Sequence, residues 1–298
     1  MSDVKSKEKL KGLIINSAFY ALAIGIAILV GYLLYDYITQ PLLLFLVTDV
    51  VATLVIFIAS TIFKNTSFYD PYWSFIPIVI AIYWFIVGGV ELGEFKTSQF
   101  VILAIVGVYG LRLTYNWIRS WKGLKHEDWR YVKYRNEKPK LFWIINLTGL
   151  QLMPTLLVFL GCIPLFPAFT NQIQFSNIFY ILGLVITVTA IFIEALADEQ
   201  QYAFRQKKQP GQLLDTGLWG MSRHPNYFGE ISFWWGVYFL GLSGDTTYWW
   251  AFVGPLAILI LFVVVSIPLM EGRLKQRYSD YKDYQKRVSM LIPWFKKK

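Results

Sequence analysis

One segment of this chain places ionisable and hydrogen-bonding residues directly before an apolar run. Residues 217–230 read Gly-Leu-Trp-Gly-Met-Ser-Arg-His-Pro-Asn-Tyr-Phe-Gly-Glu, and Ile-Ser-Phe-Trp-Trp follows. An ionisable side chain at membrane depth costs roughly 2.5 kcal/mol or more, so Arg223, His224 and Glu230 predict a hydrated, protein-lined pocket. Pro225 suits the first turn of a helix, whose free N–H groups and positive dipole end favour phosphate. We therefore predict a site for a phosphate-bearing ligand, with a structurally capped helix end as the alternative.

A second group of polar residues repeats at helical spacing. Glu194, Asp198, Gln201 and Arg205 stand at i, i+4, i+7 and i+11, which places them on one stripe of a helix. A carboxylate can bind sugar hydroxyls and a guanidinium can bind phosphate. The alternative is a solvated helix end with intrahelical ion pairs. We favour ligand binding because Glu194 lies too deep in the apolar run for casual solvation.

A third group lies near the end of the chain. Glu271 and Arg273 follow an apolar run, and Tyr278, Tyr281 and Tyr284 follow at intervals of three residues. Tyrosines on one helical stripe can stack on a flat heterocycle or lie along lipid headgroups, and this pattern leaves both interpretations open.

A fourth group lies between two apolar runs. Asp70 and Tyr72 can donate a hydrogen bond or a proton to a substrate at the membrane boundary, and the polar segment 126–131 in the largest basic loop accompanies them. Asp70-Pro71 is also a common turn initiator, so a purely structural turn is the alternative.

The composition sets the class of protein that must position these groups. The chain has 298 residues, of which 56% are hydrophobic and 18% aromatic, and its mean hydropathy is +0.46. These values exclude an ordinary soluble domain. The net charge of +9 does not indicate nucleic-acid binding, because the basic residues lie between apolar runs rather than along one polar face. The single cysteine, Cys162, can form no internal disulfide.

The apolar runs predict an all-α, polytopic membrane helix bundle of about eight transmembrane helices. A cytoplasmic N-terminus would leave only Lys96 of the 28 basic residues outside, so we expect both termini and the ligand site on the cytoplasmic side. We expect one integrated membrane domain, with substrate-side helices in residues 1–140 and cofactor-binding helices in residues 141–298. The predicted spans are Leu13–Leu34, Leu42–Phe63, Trp73–Val90, Phe100–Trp117, Leu141–Phe159, Ile178–Leu196, a short span Tyr227–Leu242, and Trp249–Met270.

These motifs resemble a known family. The string Asn226–Glu230, with Pro210-Gly211 and Gly217-Leu218 before it and Tyr284 and Leu291-Ile292-Pro293 after it, is similar to the C-terminal half of the steroid 5-alpha-reductase superfamily. The longer string Ser222–Glu230 resembles an uncharacterised bacterial-type branch of that superfamily, and Arg223-His224-Pro225 is also similar to sterol C14-reductases. The resemblance covers roughly residues 193–295.

The resemblance implies an NADPH-dependent reduction of an activated carbon–carbon double bond in a lipid. Hydride would move to the β-carbon of a conjugated carbonyl while Tyr72 or Asp70 acts as the catalytic acid. No pair in the N-terminal half matches the family's substrate-polarising Glu and Tyr, and Glu194 stands where steroid reductases have an Asn. Steroid, isoprenoid, sterol-like and fatty-acyl enones therefore remain possible substrates. The expected cofactor-binding residues are Glu194, Asp198, Arg205, Arg223, His224, Asn226, Tyr227, Glu230, Glu271, Arg273 and Tyr281; no metal is expected.

Two other functions remain open. Isoprenylcysteine carboxyl and phospholipid methyltransferases, which use S-adenosylmethionine, resemble this chain in Arg-His-Pro-x-Tyr, in a later Glu such as Glu271, and in a Tyr-rich tail. A non-catalytic lipid-binding protein would bind no nucleotide. The cofactors differ in charge, because the 2′-phosphate of NADPH needs Arg or Lys whereas the methyl donor has no phosphate. The pattern specifies neither the oligomeric state nor whether the membrane is the bacterial inner membrane or the endoplasmic reticulum.

Overall fold

The helices follow the apolar runs of the sequence. A computed structural model describes residues 2–296, with side chains from residue 6 onward, and its described part is helical without a β-sheet, which confirms the predicted all-α class. The α-helices are α1 (Ser2–Leu34), α2 (Pro41–Ile62), α3 (Tyr72–Leu92), α4 (Thr97–Ser120), α5 (Trp129–Glu137), α6 (Phe142–Ile144), α7 (Met153–Cys162), α8 (Leu165–Thr170), α9 (Ile178–Lys207), α10 (Pro225–Gly244), α11 (Val253–Ile260), α12 (Ile267–Arg277) and α13 (Tyr281–Arg287). Thr66–Phe68, Gly217–Gly220 and Thr246–Phe252 are 3-10 helices, and Ile145–Leu152 and Leu261–Ser266 are π-helices.

Within residues 2–296, seven helical segments are long and apolar enough to cross a membrane, which identifies a multi-pass membrane protein. The eighth predicted span is also a helix, α10, but its sequence is less apolar and most of its side chains are buried. The seven segments are Ser6–Leu34, Pro41–Ile62, Thr66–Leu92, Thr97–Ser120, Phe142–Thr170, Ile178–Lys207 and Thr246–Arg277.

The chain divides into two compact units. The first unit consists of Met1–Ala81 and Val106–Phe159, and the second of Ile82–Ile105 and Leu160–Lys298, each taken over its described residues. The division at residue 140 into substrate and cofactor helices stays a prediction, because it concerns function.

Buried polar side chains connect helices within the first unit. On α2, Ser60 accepts a hydrogen bond from the Gln151 amide at 2.9 Å, and that amide also donates to Asn146 Oδ1 at 3.0 Å. Asn146 and Gln151 lie five residues apart in a π-helix, whose wider turn brings such positions together. Amide and hydroxyl groups of this kind hold membrane helices together because the lipid offers them no alternative partners.

In the second unit, small residues allow α9 and α10 to pack closely. A Cβ added at Gly229 would lie 2.7 Å from Glu194 Cβ, and one added at Gly236 would lie 2.5 Å from Thr187 Cγ2. Only glycine permits this approach of the two helices. Their packing places the buried carboxylates Glu194 and Glu230 on facing helices.

Candidate functional site

A buried acid pair lies within the membrane helices of the first unit. The Tyr72 hydroxyl at the start of α3 donates to Asp49 Oδ1 on α2 at 2.5 Å, and both side chains are buried. The second carboxylate oxygen, Asp49 Oδ2, has no hydrogen-bond partner in the part of the chain that the structure describes. A buried carboxyl group in this environment requires protonation or a further partner.

The sequence analysis missed Asp49. It is the sole ionisable residue in the run Leu42–Phe63, and an acidic residue at membrane depth is the signal that could have found it. Of the two predicted catalytic residues, Tyr72 is the one that contacts this carboxylate.

A chain of hydroxyl groups supports the acid pair. The Thr53 hydroxyl donates its one hydrogen to the Asp49 carbonyl oxygen at 3.0 Å. The hydroxyl oxygens of Thr53 and Thr155 lie 2.8 Å apart and those of Thr155 and Tyr69 lie 2.7 Å apart, so hydrogen bonds join all three groups. The Tyr69 ring stacks on the Tyr72 ring with centroids 4.9 Å apart. These contacts hold the Tyr72 ring in place.

Asp70, the second predicted catalytic residue, has a different partner. Its Oδ1 accepts a hydrogen bond from the Tyr131 hydroxyl at 2.7 Å. Burial and then the Asp70 charge raise the pKa of Tyr131 well above its usual value, so the phenol stays a hydrogen-bond donor. The contact ties the predicted turn around Asp70 to α5.

Two further contacts join the same segments. The Glu127 carboxylate accepts from the Thr66 backbone N–H at 2.8 Å, and the Asp128 N–H donates to Ser67 Oγ at 2.9 Å. We call residues 124–135 the clamp and residues 64–71 the turn. The clamp holds the turn that leads into Tyr72. The turn is therefore the structural partner of the polar segment 126–131 in the largest basic loop.

In the second unit, the segment before α10 forms a buried charge cluster. The helix begins at Pro225, as the proline predicts, with His224 preceding it. The Glu271 carboxylate of α12 lies 2.7 Å from Arg223 Nε and 3.2 Å from His224 Nε2. The His224 ring also stacks on Tyr227 at 5.3 Å. Four predicted site residues are therefore brought together.

One guanidinium nitrogen of Arg223 bonds to the C-terminal tail. Its Nη1 donates to the backbone oxygens of Gln285 at 3.0 Å and Val288 at 2.7 Å. The Gln285 side chain donates a very short hydrogen bond to the other Glu271 oxygen. Of the guanidinium nitrogens of Arg223, only Nη2 is outside these contacts. The guanidinium therefore holds the C-terminal tail in place, and Nη2 is the nitrogen that could also contact a ligand.

The tyrosines of the tail pack inside the protein. Tyr281 and Tyr284 of α13 form a small core with Val288, and the Tyr284 hydroxyl donates to the Trp219 carbonyl oxygen at 2.6 Å. Burial raises the pKa of both phenols, and the nearby Glu271 charge adds to the effect at Tyr281. Protein side chains cover both rings, so neither interpretation of the stripe, stacking on a heterocycle or lying along lipid headgroups, describes these two residues in this structure.

The α9 stripe forms as the spacing predicts. Glu194 is buried, Asp198 is half-buried and Arg205 is exposed, so the stripe runs from the protein interior to the surface. On α10, Glu230 accepts a hydrogen bond from Trp234 Nε1 at 2.8 Å.

A cluster of cations lies at the exposed end of α9. Lys208 Nζ donates to the Tyr278 hydroxyl at 3.3 Å, and the Arg277 guanidinium lies over the same ring, 5.6 Å from its centroid. Arg205 interacts electrostatically with Asp198, Tyr278 and Arg277. Three positive charges around one phenol suit an anionic ligand, and the sequence analysis had missed Lys208.

Asn226 and Arg273 have less defined surroundings. Asn226 is half-buried in the first turn of α10, and Arg273 is exposed on α12. Both belong to the elements that carry the cluster, so both remain predicted ligand contacts.

Comparison with known proteins gives a family without an assigned activity. Residues 56–288 match the family described as "Protein of unknown function (DUF1295)". An uncharacterised protein of Schizosaccharomyces pombe is 26% identical to the chain, over 87% of this chain and 81% of its own length. No solved structure matches the chain.

Proposed function

We propose that this chain, which belongs to the DUF1295 family of proteins of unknown function, is a membrane-embedded, NADPH-dependent reductase of an activated carbon–carbon double bond in a lipid. The resemblance of its C-terminal half to steroid 5-alpha-reductases supports this proposal. The observation that carries it is the buried hydrogen bond between Tyr72 and Asp49.

The acid pair supplies the chemistry that the substrate carbonyl needs. When hydride adds to the β-carbon of an enone, the double-bond electrons shift and negative charge develops on the carbonyl oxygen. When Asp49 is protonated, its carboxyl group donates to the Tyr72 oxygen across the same contact, which frees the single phenol hydrogen for the substrate carbonyl. Tyr72 then passes that hydrogen to the enolate oxygen and takes the proton of Asp49. The enol becomes the saturated carbonyl compound by gaining a proton at the α-carbon and losing the oxygen-bound one, and Asp49 regains its proton from solvent. Burial keeps bulk water from competing for the reaction.

The charged and hydrogen-bonding residues of the second unit fit NADPH, which supplies the hydride when it is bound. Arg205, Lys208 and Arg277 provide the positive charge that a 2′-phosphate or pyrophosphate requires. Asp198 can accept hydrogen bonds from ribose hydroxyls, and the first turn of α10 presents N–H groups to a phosphate. S-adenosylmethionine, the methyl donor of the alternative function, is zwitterionic and has no phosphate to bind three cations.

One observation favours the methyltransferase alternative. The contact between His224 and Glu271 joins two of the motifs on which that resemblance depends. Under this alternative the buried carboxylate would face the methyl donor, and Arg205 and Lys208 would have no role in its binding. Removing these cations should therefore weaken cofactor binding if the protein is a reductase and leave S-adenosylmethionine binding unchanged if it is a methyltransferase.

A binding titration tests the proposal. Detergent-purified protein is titrated with NADPH, NADH and S-adenosylmethionine, and quenching of tryptophan fluorescence is recorded. We expect NADPH to bind most tightly, and Arg205→Ala and Lys208→Ala each to weaken it by about tenfold, as for loss of one charge-assisted hydrogen bond. Lys207→Ala is the matched control, because Lys207 is an exposed lysine at the same helix end. Binding of only the methyl donor would support the methyltransferase, and binding of none of the three would favour a non-catalytic lipid-binding protein.

A turnover assay tests the reaction itself. The protein is reconstituted in lipid vesicles with NADPH and a set of steroid, isoprenoid and acyl enones, and saturated product is detected by mass spectrometry. The proposal also places the cofactor site and both termini on the cytoplasmic side. Labelling of cysteines introduced at exposed positions of α13 in sealed vesicles checks this orientation.

A further inference from the structure

The C-terminal segment 288–296, which we call the strap, is held along its backbone by the segment before α10. The Arg223 N–H donates to the Ser289 carbonyl oxygen at 2.8 Å, and the Trp294 N–H donates to the Met221 carbonyl oxygen at 3.0 Å. The Ser222 hydroxyl donates to the Leu291 carbonyl oxygen at 2.7 Å. These bonds fix which side of the strap faces outward.

The outward side of the strap is apolar. Within the strap, Met290, Ile292 and Trp294 are exposed at 37%, 62% and 65%, whereas Ser289, Leu291 and Pro293 between them are partly covered. Phe295, 78% exposed, packs edge-on against Trp294 with ring centroids 6.0 Å apart. Four large apolar side chains exposed on one short segment form a patch that is typical of a contact surface for a membrane or a protein.

The strap also packs beside the charged end of a membrane segment. The membrane segment Thr246–Arg277 ends a few residues before α13, and Leu274 near that end packs on the core that includes Val288. Met221, the backbone partner of Trp294, is four residues before the start of α10 at Pro225. Tryptophan is enriched at the boundary between headgroups and acyl chains, near which membrane helices end.

We propose that the strap is an interfacial anchor, whose outer face of Met290, Ile292, Trp294 and Phe295 inserts into the headgroup–acyl boundary of the protein's own bilayer. Positive charge accompanies it, because the neighbouring exposed side chains are mainly basic. Anionic lipid headgroups attract such a segment more strongly than neutral ones do. The exposed basic residues are Lys275, Arg277, Lys282, Lys286 and Arg287, against Asp280 and Asp283.

The anchor would link the membrane surface to the buried charge cluster. Arg223 bonds to the strap through its backbone N–H and to the Val288 carbonyl oxygen through its guanidinium, while its Nε contacts Glu271. The strap and the buried charge cluster therefore share Arg223 as a common partner.

Spin labelling tests the anchor independently of any activity. In a Cys162→Ala background, a spin label is attached at Ile292→Cys, at Phe295→Cys, or at Ser279→Cys as an exposed control outside the strap, and the protein is reconstituted in vesicles with or without anionic lipid. We expect labels at 292 and 295 to be accessible to oxygen and protected from a water-soluble nickel chelate. The label at 279 should show the reverse.

Any of three results would overturn the proposal. Nickel accessibility at 292 and 295 equal to that at 279 would place the strap in water, and strong spin–spin broadening at both positions would assign the face to a second protein copy. If labelled protein cannot be recovered, brominated lipids answer the same question, because they should quench wild-type fluorescence more than that of Trp294→Phe. Equal quenching of the two proteins would also refute the anchor.

Discussion

The Tyr72 hydroxyl lies 2.5 Å from a carboxylate oxygen of Asp49, on a different helix and 23 residues away along the chain. Both groups are buried inside segments apolar enough to span a membrane. Such a pair is costly to maintain in a protein core, which is why we assign it the proton chemistry of the proposed reaction.

Replacement of Tyr72 by phenylalanine should abolish most of the proposed turnover. The change removes the proton donor but keeps the ring, so we expect kcat to fall by roughly 10²- to 10⁴-fold with little change in the Kd for NADPH. Steady-state turnover and fluorescence titration measure the two quantities. Tyr69→Phe is the control, since it removes a neighbouring buried hydroxyl that bonds to Thr155; equal loss in both variants would argue against a specific role for Tyr72.

Loss of the Tyr131 hydroxyl should loosen the turn without unfolding the protein. Tyr131→Phe removes the bond to Asp70, and we expect faster hydrogen exchange of backbone amides in residues 65–72, measured by mass spectrometry. If Asp70 acts by positioning the turn and not as a proton donor, kcat should fall several-fold while the Kd for NADPH stays unchanged. Tyr134→Phe on the same helix is the control, and unchanged exchange in Tyr131→Phe would mean that the other clamp contacts suffice.

Glu271→Gln should destabilise the second unit. The change leaves the Arg223 guanidinium, which is largely buried, without its countercharge, at a cost of roughly 3 kcal/mol. We expect a lower temperature of unfolding, followed by tryptophan fluorescence, together with easier proteolysis after residue 277. Glu137→Gln is the control because Glu137 forms only a long surface ion pair with Lys133. Equal unfolding temperatures would show that the cluster contributes nothing to stability.

Gly229→Ala should disturb the packing of α9 against α10. The new methyl group would meet Glu194 Cβ at 2.7 Å and the Ala190 carbonyl oxygen at 2.9 Å, so the helices must separate at a cost of about 1–3 kcal/mol. The same thermal measurement applies. Gly272→Ala, where the added atom meets nothing within 4 Å, should be neutral or slightly stabilising, and a similar loss in both variants would contradict the packing argument.

Much of the helical architecture could be predicted from the chain. Apolar runs such as Leu42–Phe63 and Ile178–Leu196 are long enough to span a membrane, and each is a helix in the structure. Pro225 marks the start of α10 because a proline is tolerated in the first helical turn. Local chemistry decides these features, so no knowledge of packing was needed.

The site was harder to predict from the pattern. The spacing placed Glu194, Asp198 and Arg205 on one stripe, but it did not indicate that Lys208 and Arg277 join Arg205 around Tyr278. These contacts depend on how α12 and the link to α13 pack beside the end of α9. Periodicity describes the face of one helix and carries no information about its neighbour.

Sequence by itself determined the membrane class, the positions of the helices and the segments that carry polar residues, because the length and polarity of each run decide these locally. Only the tertiary structure decided that Tyr72 pairs with Asp49, that Asp70 binds Tyr131, and that Tyr281 and Tyr284 are buried while the strap is exposed. Partners of a buried polar group are set by the rotation and depth of packed helices, and those depend on contacts between residues far apart in the chain.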